Sequence, residues 1–338
     1  MNVKLKPIRE QVMVITGASS GIGLATARLA AERGAKLVLA ARNEDALKGL
    51  TDELTAGGHE AVYVVADVGN EDDVKKIGQI AAERFGGLDT WVNNAATGIY
   101  GRLTEVADAD SRQLFETNFW GTVYGSLEAV RQLKSRGGAL VNVGSALSDR
   151  AIPVQGMYAT SKHAVKGFTD ALRIELEADD LPISVTLVKP ASIDTPFPQH
   201  AKNYLSEEPT LPAPVYAPEV VARAIVHCAE HRERDLVVGA GGKLISAMGQ
   251  HAPGLADKAM SSESFLSQLH EGEPTRDREG ALYGPTFGLQ ERGQYRGHVR
   301  QTSLYTGASR RPVVTGAAFA AAGLVLAALL VSDRNGRR

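Results

Sequence analysis

The chain has 338 residues, and 37 Lys and Arg against 39 Asp and Glu give a formal net charge of −2. That near-balance, at a sequence pI of about 6.5, excludes a nucleic-acid binder working through bulk positive charge. With 43% hydrophobic and 22% charged residues the composition is globular, and the single Cys228 excludes an internal disulfide or a multi-thiolate metal site.

Residues 1–11 carry Lys4, Lys6 and Arg9 and pass directly into a short β-branched run, too short for a signal-peptide core, so no cleaved leader is expected. Seven apolar runs then alternate with stretches of helical period, at 12–16, 36–41, 61–65, 88–93, 138–143, 183–188 and 235–238. Such alternation predicts an α/β fold: a seven-stranded parallel sheet covered by helices on both faces.

The first strand leads into Thr16-Gly17-Ala18-Ser19-Ser20-Gly21-Ile22-Gly23, which opens a helix running to about Arg33 and ending at Gly34. Glycines let the backbone turn sharply and bring a helix N-terminus, with its free N–H groups and favourable dipole, against a pyrophosphate. The spacing is Gly-x-x-x-Gly-x-Gly rather than the general dinucleotide fingerprint, and its strand–loop–helix setting carries the assignment. The second strand ends in Arg42, where an acid would hold the ribose 2′-hydroxyl of NAD. A guanidinium there suits a 2′-phosphate, so NADP(H) is favoured over NAD(H). Asp67 and Val68 follow the third strand where an adenine edge would lie, although residue type alone reads as an ordinary turn.

Tyr158 and Lys162 stand four residues apart, on one face of a helix. A neighbouring cation favours the phenolate, which would bring the phenol's proton transfer closer to neutrality and fit it for carbonyl chemistry. Ser145, 13 residues before Tyr158, follows a strand, from where its hydroxyl can reach a substrate oxygen above the sheet's carboxyl end.

The ordered set formed by residues 16–23, Asp67, Asn93-Asn94-Ala95, Asn118, Ser145, Tyr158, Lys162 and the segment 190–195 resembles the short-chain dehydrogenases/reductases of single-domain Rossmann type, over some two-thirds of the chain. The resemblance implies Tyr158 as general acid/base, with Lys162 lowering its pKa and bonding the nicotinamide ribose. It implies that Ser145 polarises the substrate oxygen and that Asn118 links Lys162 to a proton relay through a held water. Gly17, Ser19, Ser20, Gly21, Ile22 and Gly23 would hold the pyrophosphate, Asn94 and Ala95 would pass along the cofactor, and Ile193 and Thr195 would meet the carboxamide. Ala96 and Ala191 stand where this family often has glycine, which puts the local backbone in question.

Seven of the 14 prolines fall between Pro190 and Pro218, with Phe197, Tyr204 and Tyr216, in the segment that forms the substrate lid in such proteins. A stiff, partly apolar lid suggests a lipophilic ketone, aldehyde or alcohol. His227 and His231 bracket Glu230 in a His-x-x-Glu-His pattern, but no third ligand helix follows, and no metal is expected.

Residues 1–250 therefore read as the NADP-binding Rossmann catalytic domain, and 251–312, rich in Ser, Gly, Glu and Arg, as a partly disordered linker with one or two short helices. Residues 313–331 are 19 in a row without a charge, which as a helix would cover roughly 28 Å, enough to span a bilayer. A short basic tail, 332–338, follows. Five arginines and no acid at 292–311 favour a single-pass C-terminal membrane anchor with a cytoplasmic catalytic domain. The helices around 115–133 and 158–176 resemble those that pair protomers in the family, implying a homodimer or homotetramer. The function expected is a membrane-tethered NADP(H)-dependent carbonyl reductase; the rival from another class is an NADP(H)-binding scaffold or redox sensor.

Overall fold

Strands β1 (Val12–Thr16), β2 (Lys36–Ala41), β3 (Ala61–Val65), β4 (Thr90–Asn93), β5 (Gly138–Val143), β6 (Ile183–Pro190) and β7 (Asp235–Val238) pair in parallel in the order β7-β6-β5-β4-β1-β2-β3. The computed structural model describes residues 3–274 and 279–310. In-register pairs such as Val14 with Val38 and Ile15 with Val92 put β1 at the centre, where all five of its residues are buried.

Alternation along β1 sorts the two cores. Met13 and Ile15 pack with Leu24 of α1 (Gly21–Glu32), with Leu47 and Leu50 of α2 (Glu44–Ala56) and with Val221 of α7 below. Val12 and Val14 face the other way, towards Ile77 of α3 (Glu71–Phe85), and the same core takes in Leu133 of α5 and Leu172 of α6 below. Burying each such side chain contributes about 1.5–3 kcal/mol. Chain order continues with α4 (Asp108–Phe115), α5 (Gly121–Leu133), α6 (Gly156–Ala178), α7 (Pro218–Glu230), α8 (Ala240–His251) and α9 (Pro253–Met260).

Boundaries differ from the sequence expectation at two strands. β4 begins at Thr90, because the Asp89 carboxylate turns back to accept the Val12 N–H at 2.9 Å and the Lys6 ammonium at 2.6 Å. β6 runs on to Pro190, because β7 pairs with its last residues, Val238 opposite Pro190.

The described part of 251–312 also differs from a free linker. Met260 and Leu269 are buried against Leu147 and Ile152, and residues 270–274 pair antiparallel with 207–209. Residues 281–310 lie back over the domain: Leu282 is fully buried, Val299–Arg300 pairs with Val215–Tyr216, and the Gly239 N–H donates to the Thr306 hydroxyl at 3.0 Å. Isolated anchors and backbone hydrogen bonds hold this segment, so it carries no periodic apolar stripe. The span expected at 313–331 and the tail at 332–338 lie outside the described residues. Among the described residues no helix is long and apolar enough to cross a membrane.

Candidate active site

Strand order reverses between β1 and β4, and the crevice at their carboxyl ends is where an open sheet of this kind takes its ligand. A cleft of about 460 Å³ opens there and continues past β5 and β6 to the lid. All the expected site residues line it except Gly23 and Asn118, which stand behind its wall.

The loop after β1 is built for close approach. Gly17 and Gly21 take φ of +67° and +53°, which a side chain would strain. A Cβ on Gly23 would lie 2.1 Å from the Gly17 carbonyl oxygen. Asn94 braces this loop by donating to the carbonyls of Thr16 at 2.9 Å and Gly17 at 3.2 Å, while the Thr16 hydroxyl accepts the N–H groups of Asn94 and Ala95. Ser20, the N-cap of α1, makes no side-chain cap bond, and with the Gly21 amide taken by the Gln290 carbonyl the amides of Ile22 and Gly23 remain for an anion. This cradle fits a dinucleotide pyrophosphate.

At the outer end, one Arg42 guanidinium nitrogen donates to the Ala281 carbonyl. The other, Nη1, is buried without a hydrogen bond, 3.9 Å from the Asp67 carboxylate. Asp67 itself closes a turn by accepting the Gly69 N–H at 2.9 Å.

At the inner end, Ser145 caps the short turn after β5, its hydroxyl accepting the Leu147 N–H at 3.0 Å, and it also bonds the Tyr158 hydroxyl. Lys162, one turn along α6, is buried and donates to the Val143 carbonyl at 3.0 Å. Its ammonium lies 5.8 Å from the centre of the Tyr158 ring. Burial pushes the Tyr158 phenol up to about 12, with the Ser145 hydrogen bond drawing it partly back, and burial pushes Lys162 down to about 8. In this arrangement the Lys162 ammonium is turned to a backbone carbonyl, and burial outweighs the Ser145 hydrogen bond at the phenol.

Asn118 sits in a wider i→i+5 helical turn, Glu116–Trp120, a local irregularity that recurs at functional sites. Its amide accepts the Thr97 N–H at 2.8 Å and donates to Ser161 at 3.1 Å, fixing it behind Tyr158. Ala191 donates to Val238 in the sheet, and neither Ala96 nor Ala191 has a positive φ, so alanine fits both positions without strain.

Phe197, expected in a partly apolar lid, stands 5.1 Å from the Tyr158 ring; sequence reading missed Ile245 and Phe265, which line the same cleft and pack in one cluster with Tyr158. It also missed Pro285, Thr286 and Phe287 of the C-terminal segment at the cofactor end. Phe197 carried a signal in its proline-rich setting; the others carried none.

Residues 11–204 match the family model of the short chain dehydrogenases. An uncharacterised oxidoreductase of Bacillus subtilis, YxnA, is 49% identical over 96% of this chain and 91% of its own length. The 11-beta-hydroxysteroid dehydrogenase A of Sesamum indicum is 37% identical over 66% of this chain and 67% of its own. Among solved structures, an alcohol dehydrogenase from Thermococcus sibiricus complexed with 5-hydroxy-NADP is 30% identical, with a TM-score of 0.59 over 67% of this chain and 95% of that one. A short chain dehydrogenase/reductase from Burkholderia phymatum in complex with NAD is 26% identical, with a TM-score of 0.63 over 81% of this chain and all of that one. With a dinucleotide cradle at one end of its cleft and a Ser-Tyr-Lys group at the other, this chain belongs to the short-chain dehydrogenase/reductase family and is an oxidoreductase.

Proposed function

We propose that the protein is an NADP(H)-dependent oxidoreductase that interconverts a ketone or aldehyde and an alcohol on a lipophilic substrate, in the direction set by the NADPH/NADP ratio. The observation that carries this reading is the cleft itself, with a proton-transfer group at one end and a cation able to hold a 2′-phosphate at the other. The bound cofactor supplies the hydride. Tyr158 gives its proton to the substrate oxygen as the alcohol forms, and takes it back in the reverse direction. Ser145 donates to the same oxygen, and Lys162 holds its charge beneath the ring while it positions the ribose. Asn118 keeps the backbone behind Tyr158 fixed.

Arg42 supports NADP(H), since the buried Nη1 lies in a site with room for an anion and the strand end offers no acid to the ribose. The two solved relatives carry different cofactors, so this preference rests on Arg42. The apolar inner wall supports a lipophilic substrate. Tethering by 313–331 with the catalytic domain in the cytoplasm, and pairing through α5 and α6, complete the proposal. Leu127 on α5 and Ile174 on α6 are large apolar side chains left exposed.

Fluorescence titration with NADPH and NADH side by side, followed by a panel of aliphatic and polycyclic carbonyls on the same sample, tests the reading. Preferred NADPH binding with turnover of a bulky apolar ketone supports it. Equal affinity for the two cofactors sinks the 2′-phosphate assignment, and tight binding without turnover of any carbonyl leaves a sensor in place of an enzyme.

A further inference from the structure

The segment 281–293 lies against the glycine loop and the end of β2. Its Leu289 N–H donates to the Ser19 carbonyl at 2.8 Å, and its Gln290 carbonyl accepts the Gly21 N–H at 2.8 Å, both within the glycine loop. The Ala281 carbonyl holds Arg42, and the Thr286 carbonyl accepts Asn43 Nδ2 at 2.7 Å. Pro285, Thr286 and Phe287 line the same cleft as Arg42, Asp67 and Val68, with the Phe287 ring 4.5 Å from that of His200, so the segment forms part of its wall.

The strap is pinned on both sides of that wall. Leu282 is fully buried in a cluster with Tyr158 and Tyr204, and the Tyr283 hydroxyl donates to Asp110 at 2.6 Å. Asp110 is shared with Tyr204 and Lys202 of the lid. Beyond the wall, Glu291 accepts Arg28 at 2.6 Å and the Gly293 N–H donates to Asp194 at 3.1 Å. The chain lies too close for a side chain at Gly288, where a Cβ would stand 2.4 Å from that of Ala46. Leu289 is held at φ +60°, in the left-handed region that a bulky residue adopts only when its surroundings impose it. A segment fixed at both ends, moulded to the glycine loop and carrying local strain is a built part of the site.

We infer that residues 281–293 are a component of the dinucleotide site: a strap that closes over the 2′-phosphate end, holds Arg42 in position and limits the rate of cofactor release. Its backbone bonds to Ser19 and Gly21 and its wall at Thr286 and Phe287 lie between a seated adenosine phosphate and solvent, so release requires the strap to lift. This rests on the NADP(H) reading above.

The test measures NADPH dissociation from the full chain by stopped-flow fluorescence, in wild type, Gly288→Val and Glu291→Gln, with hydrogen exchange of the strap amides with and without NADPH. Gly288→Val forces the strap off Ala46; Glu291→Gln removes only its ion pair with Arg28 and serves alone if the first variant does not fold. The expected result is NADPH-dependent protection of the strap amides, with off-rates raised about tenfold or more in Gly288→Val and about threefold in Glu291→Gln. Wild-type off-rates in cooperatively melting variants, with no protection of the strap, overturn the inference while leaving NADPH binding intact. No NADPH binding to wild type overturns the cofactor reading, and the strap's role with it.

Discussion

Arg42 ends β2 with one nitrogen tied to the strap and another buried without a hydrogen bond. A charge-assisted hydrogen bond to phosphate is worth about 1.5–3 kcal/mol, so Arg42→Ala is expected to weaken NADPH binding by roughly 10- to 100-fold. NADH, lacking that phosphate, changes little; equal losses in parallel titrations contradict the assignment. The inner pair sets the pH behaviour. With Lys162 pushed down to about 8 by burial, its charge is present below that pH and lost above it, whereas Tyr158, at about 12, keeps its proton throughout the neutral range. Carbonyl reduction needs both the proton and the charge. Its kcat/KM is expected to be flat up to about pH 8 and to fall beyond it, and a profile rising through pH 8 contradicts these roles. Residue types and spacing made Tyr158, Lys162, Ser145 and Arg42 legible in the sequence. Spacing could not reveal that Lys162 turns to the Val143 carbonyl, because the net pKa depends on burial against charge.

Secondary-structure elements were legible where burial is periodic. β1, β2, β3, β5 and β7 begin and end where the apolar runs do, while β4 and β6 shifted at ends decided by Asp89 and by pairing with β7. The C-terminal segment was not legible, because a strap held by Leu282, Thr306 and main-chain bonds has the composition of a linker. Asp110 of α4 joins lid to strap: it is buried, yet against the desolvation that would raise it the hydroxyls of Tyr204 and Tyr283 and the Lys202 ammonium hold its carboxyl below the usual carboxylate range. A depressed folded-state pKa contributes stability that is present above the unfolded value and is lost as pH falls through the folded one. Asp110→Asn is therefore expected to cost about 1–3 kcal/mol at neutral pH and to flatten the acid limb of the melting-temperature profile. Differential scanning calorimetry against pH checks this; parallel profiles for variant and wild type show that the cluster does not hold lid and strap.

At the scale of the whole molecule, the parallel sheet and the site at its switch point follow from strand–helix alternation and the order of the motifs, whereas assembly and tethering depend on surfaces that pattern does not mark. Leu127 and Ile174 are 52% and 60% exposed on the two helices proposed to pair protomers. In an assembly of two or four chains, Leu127→Arg with Ile174→Glu is expected to yield monomers in light scattering while the melting transition stays cooperative. An unchanged mass places the interface elsewhere. In the proposed carbonyl reaction Tyr158 transfers the proton, and Tyr158→Phe tests this most directly, with NADPH binding and turnover measured on one sample of the full chain. Binding within about twofold of wild type together with a turnover loss of roughly 10²- to 10⁴-fold is the predicted result. Turnover surviving in the phenylalanine variant would contradict it.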